Sequence, residues 1–224
     1  MNRIQTNSAG ISTEISSGRP FQARDEQAAK RQRILTAALK LFAHEPYQAV
    51  TMDRVAAAAG VAKGTLYLYF PSKDALYLGV LTDNLDTAYR TYQASADPKL
   101  PVVERMRRSI AVAVEFFDER RDFLQFYAMA EPRLSEARNR IMENSRERGG
   151  NFFESLIEEG IRIGVFTRVD PRLAMLTIQG AIRSLLLYYG PSRPVSEISL
   201  ELGNLILRSL GADPSLASRP VHPR

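Results

Sequence analysis

Apolar positions recur at three- and four-residue spacing along almost the whole chain, and period-two alternation bounded by turn residues is hard to find. That pattern predicts an all-α protein. From Asp25 to His44 the stripe is Ile34, Leu35, Ala38, Leu41 and Phe42, and Pro46 ends it. Thr51 stands where a short helix to Ala59 needs an N-cap. Gly60 turns the chain, and a second short helix runs from about Ala62 to Tyr69, broken by Pro71. Ser72 caps a long helix to about Ala94, with Asp74 in its first turn where the helix dipole favours a carboxylate. Helices follow over Val102–Glu119 and Asp122–Ala130, then one long stretch over Leu134–Ile163 with a bend near Gly149 and Gly150. Asp170 and Pro171 open a helix to about Tyr189, and Val195–Leu210 is the last, closed by Gly211. The pattern therefore predicts about nine helices. Residues 1–24, rich in Ser, Gly and Thr, read as a disordered arm, and 213–224 as a flexible tail. Between them lie an N-terminal unit, 25–72, and a larger one, 73–212.

Composition narrows the chemistry. The 224 residues contain no cysteine, which excludes disulfides, thiolate metal sites and cysteine nucleophiles. His44 is one of only two histidines and has no second ligand at metal-binding spacing; it reads as a C-terminal residue facing the helix dipole. There is no Gly-rich phosphate loop, no G-x-S-x-G and no H-E-x-x-H, so no enzyme, metal or cofactor is expected. The N-terminus lacks the apolar run of a secretory signal, and no stretch is long and apolar enough for a membrane span. The chain reads as cytoplasmic, with no membrane partner. Its formal net charge of +5 favours a polyanionic partner.

The stretch MDRVAAAAGVAKGTLYLY, Met52–Tyr69, locates that partner. Val55, Ala56 and Ala59 share one face of the first short helix, Gly60 suits the left-handed residue of a tight turn, Val61 plugs it, and Leu66 packs back. This is the logic of a helix-turn-helix, whose second helix enters the DNA major groove. Beyond its core residues the second helix offers Lys63, Gly64, Thr65, Tyr67 and Tyr69. Lysine and tyrosine suit phosphate, threonine suits phosphate or a thymine methyl, and glycine permits close backbone approach. Thr51 and Lys73 sit at flanking helix N-termini, where backbone N–H groups favour an anion. Arg24–Lys73 holds eight Lys or Arg against four Asp or Glu. On residue type alone, Tyr67 and Tyr69 are half-buried packing residues and Lys63 a solvated charge; the surrounding pattern turns the reading toward DNA.

TMDRVAAAAGVAKGTLYLYFPSKDAL closely resembles the DNA-binding segment of TetR/AcrR (tetracycline-repressor-type) transcriptional regulators. The shared pattern is T-x-x-x-[IV]-A-x-x-A-G-V, then a small segment ending [GPS]-[TS]-[LIF]-Y-x-[YH]-F, then x-[ST/N]-K-[DE]-x-L. The likeness is strong over roughly residues 26–82, and GVFTRVDPRLAMLTIQGAIRSLLL resembles the family's entry into its penultimate helix. It implies an all-α homodimer: an N-terminal three-helix domain binds a palindromic operator, and a larger C-terminal domain dimerises and binds a small effector that releases DNA. It carries DNA-facing roles onto Thr51, Lys63, Gly64, Thr65, Tyr67, Tyr69 and Lys73. Leu68 departs from the family, where a larger aromatic or polar residue is frequent.

The C-terminal unit is rich in aromatic residues and methionine, most of them core. A cavity there would take an apolar or aromatic ligand with few polar anchors. Its candidate lining is Phe116, Tyr127, Phe152, Gln179 and Arg183, the last two one turn apart on a very apolar helix and equally suited to solvent or a dimer seam. Arg105, Arg107, Arg108, Arg120 and Arg121 read as exposed helix faces. The last two helices carry broad apolar faces, Leu173, Leu176, Ile178, Ile182, Leu185 and Leu186 on one, and Val195, Ile198, Leu202, Leu205 and Ile206 on the other. A four-helix dimer interface would cover both; alternatively they cover only the protein's own core. The leading expectation is a repressor released from a palindromic operator by a largely apolar effector. The alternative is a DNA-binding protein of the same architecture that answers to a protein partner or organises DNA.

Overall fold

The computed structural model describes residues 19–129, 131–145, 152–189 and 193–212. Among them it contains ten α-helices, two short 3-10 turns and no strand. The helices are α1 (Arg19–His44), α2 (Met52–Ala59), α3 (Lys63–Tyr69), α4 (Lys73–Ser95), α5 (Val102–Glu119), α6 (Arg121–Ala128), α7 (Ser135–Ser145), α8 (Phe152–Arg162), α9 (Pro171–Tyr188) and α10 (Val195–Ser209). The 3-10 turns are Tyr47–Ala49 and Pro132–Leu134.

One boundary differs from the sequence expectation. Helix α1 begins at Arg19, so residues 19–24 are helical rather than part of an irregular arm. Pro20 sits in the first turn, where its missing N–H costs nothing. The remaining arm, 1–18, and the tail, 213–224, lie outside the described residues. Over the stretch expected as one long helix, Leu134–Ile163, the described residues form the end of a 3-10 turn, α7 and α8, and residues 146–151 between the two helices lie outside the described residues. The expected bend at Gly149 and Gly150 also lies outside the described residues.

The caps fall where the residue types require them. Thr51 Oγ1 accepts from Arg54 N at 3.3 Å, Ser72 Oγ from Ala75 N at 3.1 Å, and an Asp170 carboxylate oxygen from Leu173 N at 2.9 Å. Each satisfies one of the four orphan N–H groups at its helix start. Pro171 follows Asp170 as the first helical residue.

Helix α4 is the spine. It leaves α3 through Phe70–Ser72, packs on α1, then runs beneath α5, α7 and α8. Helix α6 folds back against α1, and α10 lies along α5. One continuous cluster of buried residues runs from Ile34 of the N-terminal unit to Ala212. Arg105 and Arg107 are not free surface charges. Arg105 pairs with Glu159 and thereby ties α5 to α8, and Arg107 pairs with Glu104 at 3.1 Å. Arg108, Arg120 and Arg121 remain on the surface, paired with Glu104, Glu119 and Asp118.

At the end of α8 the chain reverses over Gly160. Val165 and Phe166 N–H groups both donate to its carbonyl at 2.9 and 3.0 Å, and the Phe166 ring lies flat on its Cα. A Cβ at Gly160 would come within 2.0 Å of a Phe166 ring carbon. Gly160→Ala is therefore expected to lose about 1–2 kcal/mol net, the overpacking penalty outweighing the ~1 kcal/mol gain in helix propensity. Denaturant unfolding at fixed protein concentration reads this directly; an unchanged or raised midpoint would show that Phe166 moves aside freely.

Candidate functional site

Helices α2 and α3 are joined by the turn the sequence calls for. Gly60 is left-handed, at φ 64° and ψ 39°, and the Val61 N–H reaches back to Ala56 O at 3.0 Å. Val55 and Leu66 are fully buried between the helices, and Ala56 nearly so. Burying a leucine side chain contributes about 1.5–3 kcal/mol, so Leu66 alone fixes much of the pitch of α3. The opposite face of α3 is open. Lys63 and Gly64 are exposed, Thr65 is half-buried, and Tyr67 and Leu68 are 42% and 86% exposed. A Cβ at Gly64 would meet no protein atom within 4 Å, so nothing inside the protein requires glycine there. Tyr69 is half-buried against the core.

The two lysines differ sharply. Lys63 Nζ lies 2.7 Å from Asp53, and both side chains are mostly in solvent. That carboxylate holds the Lys63 amine above its ordinary pKa. Lys73 turns inward. Its Nζ donates to Tyr47 O and Val50 O, both at 2.9 Å, and sits 4.3 Å from the Tyr47 ring centroid. Two of its three N–H donors are thus committed to holding the segment before α2 against the start of α4. Thr51, while capping α2, is itself exposed.

Tyr47 gathers further groups at the same junction. Its hydroxyl donates to Asp74, and Arg133 reaches both, at 3.3 Å to the hydroxyl and 3.0 Å to the carboxylate. Burial and the Asp74 contact push the Tyr47 phenol well above its usual pKa. Nearby, Gln48 Nε2 donates to Glu131 at 3.3 Å, and Glu131 N–H donates to the Tyr77 hydroxyl at 3.2 Å. His44 does more than face a helix end: its ring nitrogen lies 2.9 Å from Asp122 of α6. The loop between α6 and α7 and the first turn of α6 are thus fastened to the N-terminal domain by side chains.

The C-terminal domain encloses a cavity of about 480 Å³. Helix α4 lines it with Leu85, Ala88, Tyr89 and Tyr92; α5 with Ala113 and Phe117; α6 with Phe123, Leu124 and Tyr127; α7 with Arg138, Asn139, Met142 and Glu143. Phe153 of α8 and Leu176, Gln179, Gly180, Ile182 and Arg183 of α9 complete the lining. Of the expected lining residues, Tyr127, Gln179 and Arg183 come together here. Phe116 and Phe152 do not: Phe116 is buried with Arg120 stacked on its ring at 4.1 Å, and the neighbours Phe117 and Phe153 face the cavity instead. Sequence reasoning missed Tyr89, Tyr92 and Arg138, which no local signal separates from ordinary core or surface positions. Arg138 is fixed by a 2.9 Å bond to Tyr127 O and by stacking 4.5 Å from the Tyr127 ring. Burial pushes the Tyr92 phenol far above its ordinary pKa.

The apolar faces of α9 and α10 divide. Ile178, Ile182, Ile198, Leu202 and Ile206 are buried within the protomer, while Leu173, Leu176 and Leu205 are 65%, 49% and 56% exposed. No described helix is long and apolar enough to cross a membrane, and no group of three or more His, Asp or Glu gathers among the described residues to hold a metal.

Residues 34–80 match the model of bacterial regulatory proteins of the tetR family, and residues 99–210 that of the tetracyclin repressor-like C-terminal domain. The chain is 28% identical over 144 residues to the HTH-type transcriptional regulator YhgD of Bacillus subtilis, covering 64% of this chain and 75% of that one. It is 25% identical over 173 residues to the HTH-type transcriptional repressor KstR2 of Mycolicibacterium smegmatis, covering 76% and 84%. In fold it is similar to the fatty acid degradation regulator FadR of Bacillus halodurans, with a TM-score of 0.72 at 19% identity over 82% of this chain and 97% of that one. The helix-turn-helix, the all-helical architecture and both family matches agree: this chain belongs to the tetR family of bacterial regulatory proteins and is a helix-turn-helix transcriptional regulator.

Proposed function

We propose that this protein is a homodimeric repressor that binds a palindromic operator and is released by a small, largely apolar effector. The observation that carries the reading is the course of α4. Its first residue, Lys73, is bonded to the segment that precedes α2, and its last turns, at Tyr89 and Tyr92, line the cavity. A ligand that reshapes the cavity acts on the same rigid rod that positions α3. Helix α6 offers a parallel route, with Phe123 and Tyr127 on the cavity and Asp122 on His44 of α1. Two recognition helices in a dimer must match successive major grooves about 34–36 Å apart, so a small tilt of α4 in each protomer lowers operator affinity. A large cavity with apolar walls favours this effector-controlled reading over control by a protein partner.

On DNA, α3 lies in the major groove. Lys63 exchanges Asp53 for a phosphate, Tyr67 donates to another, and the backbone approaches closely at Gly64. Thr51 and Thr65 supply hydroxyls at the groove edge, and Tyr69 reaches the backbone from its half-buried position. Lys73 has one N–H left for phosphate while it keeps its two carbonyls. Leu68, the most exposed large apolar side chain among the described residues, suits a thymine methyl.

The first test is selection from a randomised duplex library at moderate salt, where a palindrome with half-sites about one helical turn apart is expected. Salt-sensitive binding without enrichment would overturn the specific-repressor reading. On the selected duplex, Tyr67→Phe is expected to weaken binding about 3- to 10-fold, the worth of one hydrogen bond. Lys63→Ala is expected to weaken all duplexes alike and to reduce the log–log salt slope by about 1. Native circular dichroism with wild-type affinity in both variants would remove these assignments.

The dimer face is assigned to α9 and α10, through Leu173, Leu176 and Leu205. Leu205→Glu, at a position 56% exposed in the protomer, is expected to leave the fold intact and shift the protein toward monomer. Sedimentation equilibrium reads this, and operator affinity should fall with the dimer fraction. A variant that stays dimeric would place the interface elsewhere.

A further inference from the structure

We infer that the effector is a flat aromatic molecule bearing an anionic group such as a carboxylate; this rests on the effector-controlled reading above. Aromatic rings dominate the apolar walls. Tyr89 and Tyr92 meet edge to face at 6.2 Å, Phe117 and Phe123 lie parallel at 6.0 Å, and Phe153 tilts against Tyr92 at 5.8 Å. Such walls present both ring faces and ring edges, the two surfaces a planar π system packs against. A cavity of about 480 Å³ has room for a bicyclic body.

The polar groups set the sign of the ligand's charge. Two guanidinium groups, Arg138 and Arg183, line the cavity against the single carboxylate of Glu143. Arg138 is held in place by the Tyr127 carbonyl and ring, which leaves further N–H groups of its fork to donate. Glu143 is already engaged in an interaction within the protein. Gln179 stands one turn before Arg183 on α9 and adds an amide. Tyr92, only 5% exposed, brings to the wall a phenol that is protonated at neutral pH, so it can donate to an anionic oxygen. Aromatic faces also attract cations. Here the Tyr127 face is already taken by Arg138, and a cationic ligand would meet two like charges.

The test uses one aromatic body with three charges: 2-naphthoate, the neutral 2-naphthalenemethanol and the cationic 2-naphthylmethylammonium. Each is titrated calorimetrically into the full-length dimer. The acid is expected to bind at least about tenfold more tightly than the alcohol, the worth of a charged hydrogen-bonded anchor, with the amine weakest. Arg183→Gln, at an exposed position that folding does not depend on, is expected to remove most of that preference; Arg138→Gln should reduce it as well. Equal binding of acid and alcohol, tighter binding of the amine, no binding of any of the three, or a preference that survives both substitutions would each overturn the inference. Release of the selected duplex is measured separately. If the acid binds with the expected preference but releases no DNA, the ligand chemistry stands and the effector-controlled reading falls. If the alcohol binds and releases DNA as well as the acid does, the reverse holds.

Discussion

Tyr77 of α4 is packed among three aromatic rings from three other elements. Phe42 of α1 meets it edge to face at 5.2 Å, Tyr47 at 5.4 Å, and Phe126 of α6 lies 4.6 Å away. Its hydroxyl accepts from the Glu131 backbone, so the one polar atom on the ring is satisfied where burial would otherwise be costly. Each of the aromatic contacts is worth about 0.5–1.5 kcal/mol beyond the area it buries. More important is what they join. The three-helix DNA-binding domain has no independent seat on the rest of the molecule; its orientation is set by this cluster and by the ion pairs around it. The helices that line the cavity and those that position α3 therefore share one continuous buried cluster.

That arrangement explains why the polar groups at the junction are so densely shared. Asp74 accepts from both Tyr47 and Arg133, and Lys73 holds two carbonyls while facing the Tyr47 ring. A packed aromatic cluster resists compression but slides with little cost. Directional bonds from charged groups give it discrete positions, because a half-moved arginine or lysine loses its partners before it gains new ones. Apolar packing fixes the distance between the domains, and the Tyr47–Asp74–Arg133 group fixes their register.

The parts of this molecule legible in the sequence are those set within one turn of chain. The caps Thr51, Ser72 and Asp170, the left-handed Gly60 and the apolar faces of α2 and α3 all follow from neighbours three or four residues away. The helix-turn-helix could therefore be placed almost to the residue. The cavity could not. Successive residues of a helix point about 100° apart, so choosing Phe116 over Phe117, or Phe152 over Phe153, requires knowing which neighbour each helix faces. Phe116 and Phe152 do not line the cavity for that reason, while Gln179 and Arg183, spaced one turn apart on α9, both do. The junction was out of reach altogether, because Tyr47, Asp74 and Arg133 are brought together across 59 residues of chain between the last two alone.

The same geometry changes what the basic residues of the DNA-binding domain contribute. Net charge alone counts Lys63 and Lys73 equally, but their resting states differ. The Lys63–Asp53 pair is largely solvated, and an exposed pair of that kind is worth little, so in the proposed complex trading it for a phosphate would give up little of the electrostatic gain of DNA binding. Lys73 gives up nothing, because its two carbonyl bonds can persist while the third donor turns outward. In the proposed complex it would serve chiefly by holding the turn before α2 rigid, and a rigid anchor loses less entropy on binding than a free lysine does. Its loss should then weaken DNA binding and loosen the junction together, while the loss of Lys63 should touch DNA binding alone. Charge on the open face favours a polyanion, and the buried contacts behind it hold the segment before α2 in place.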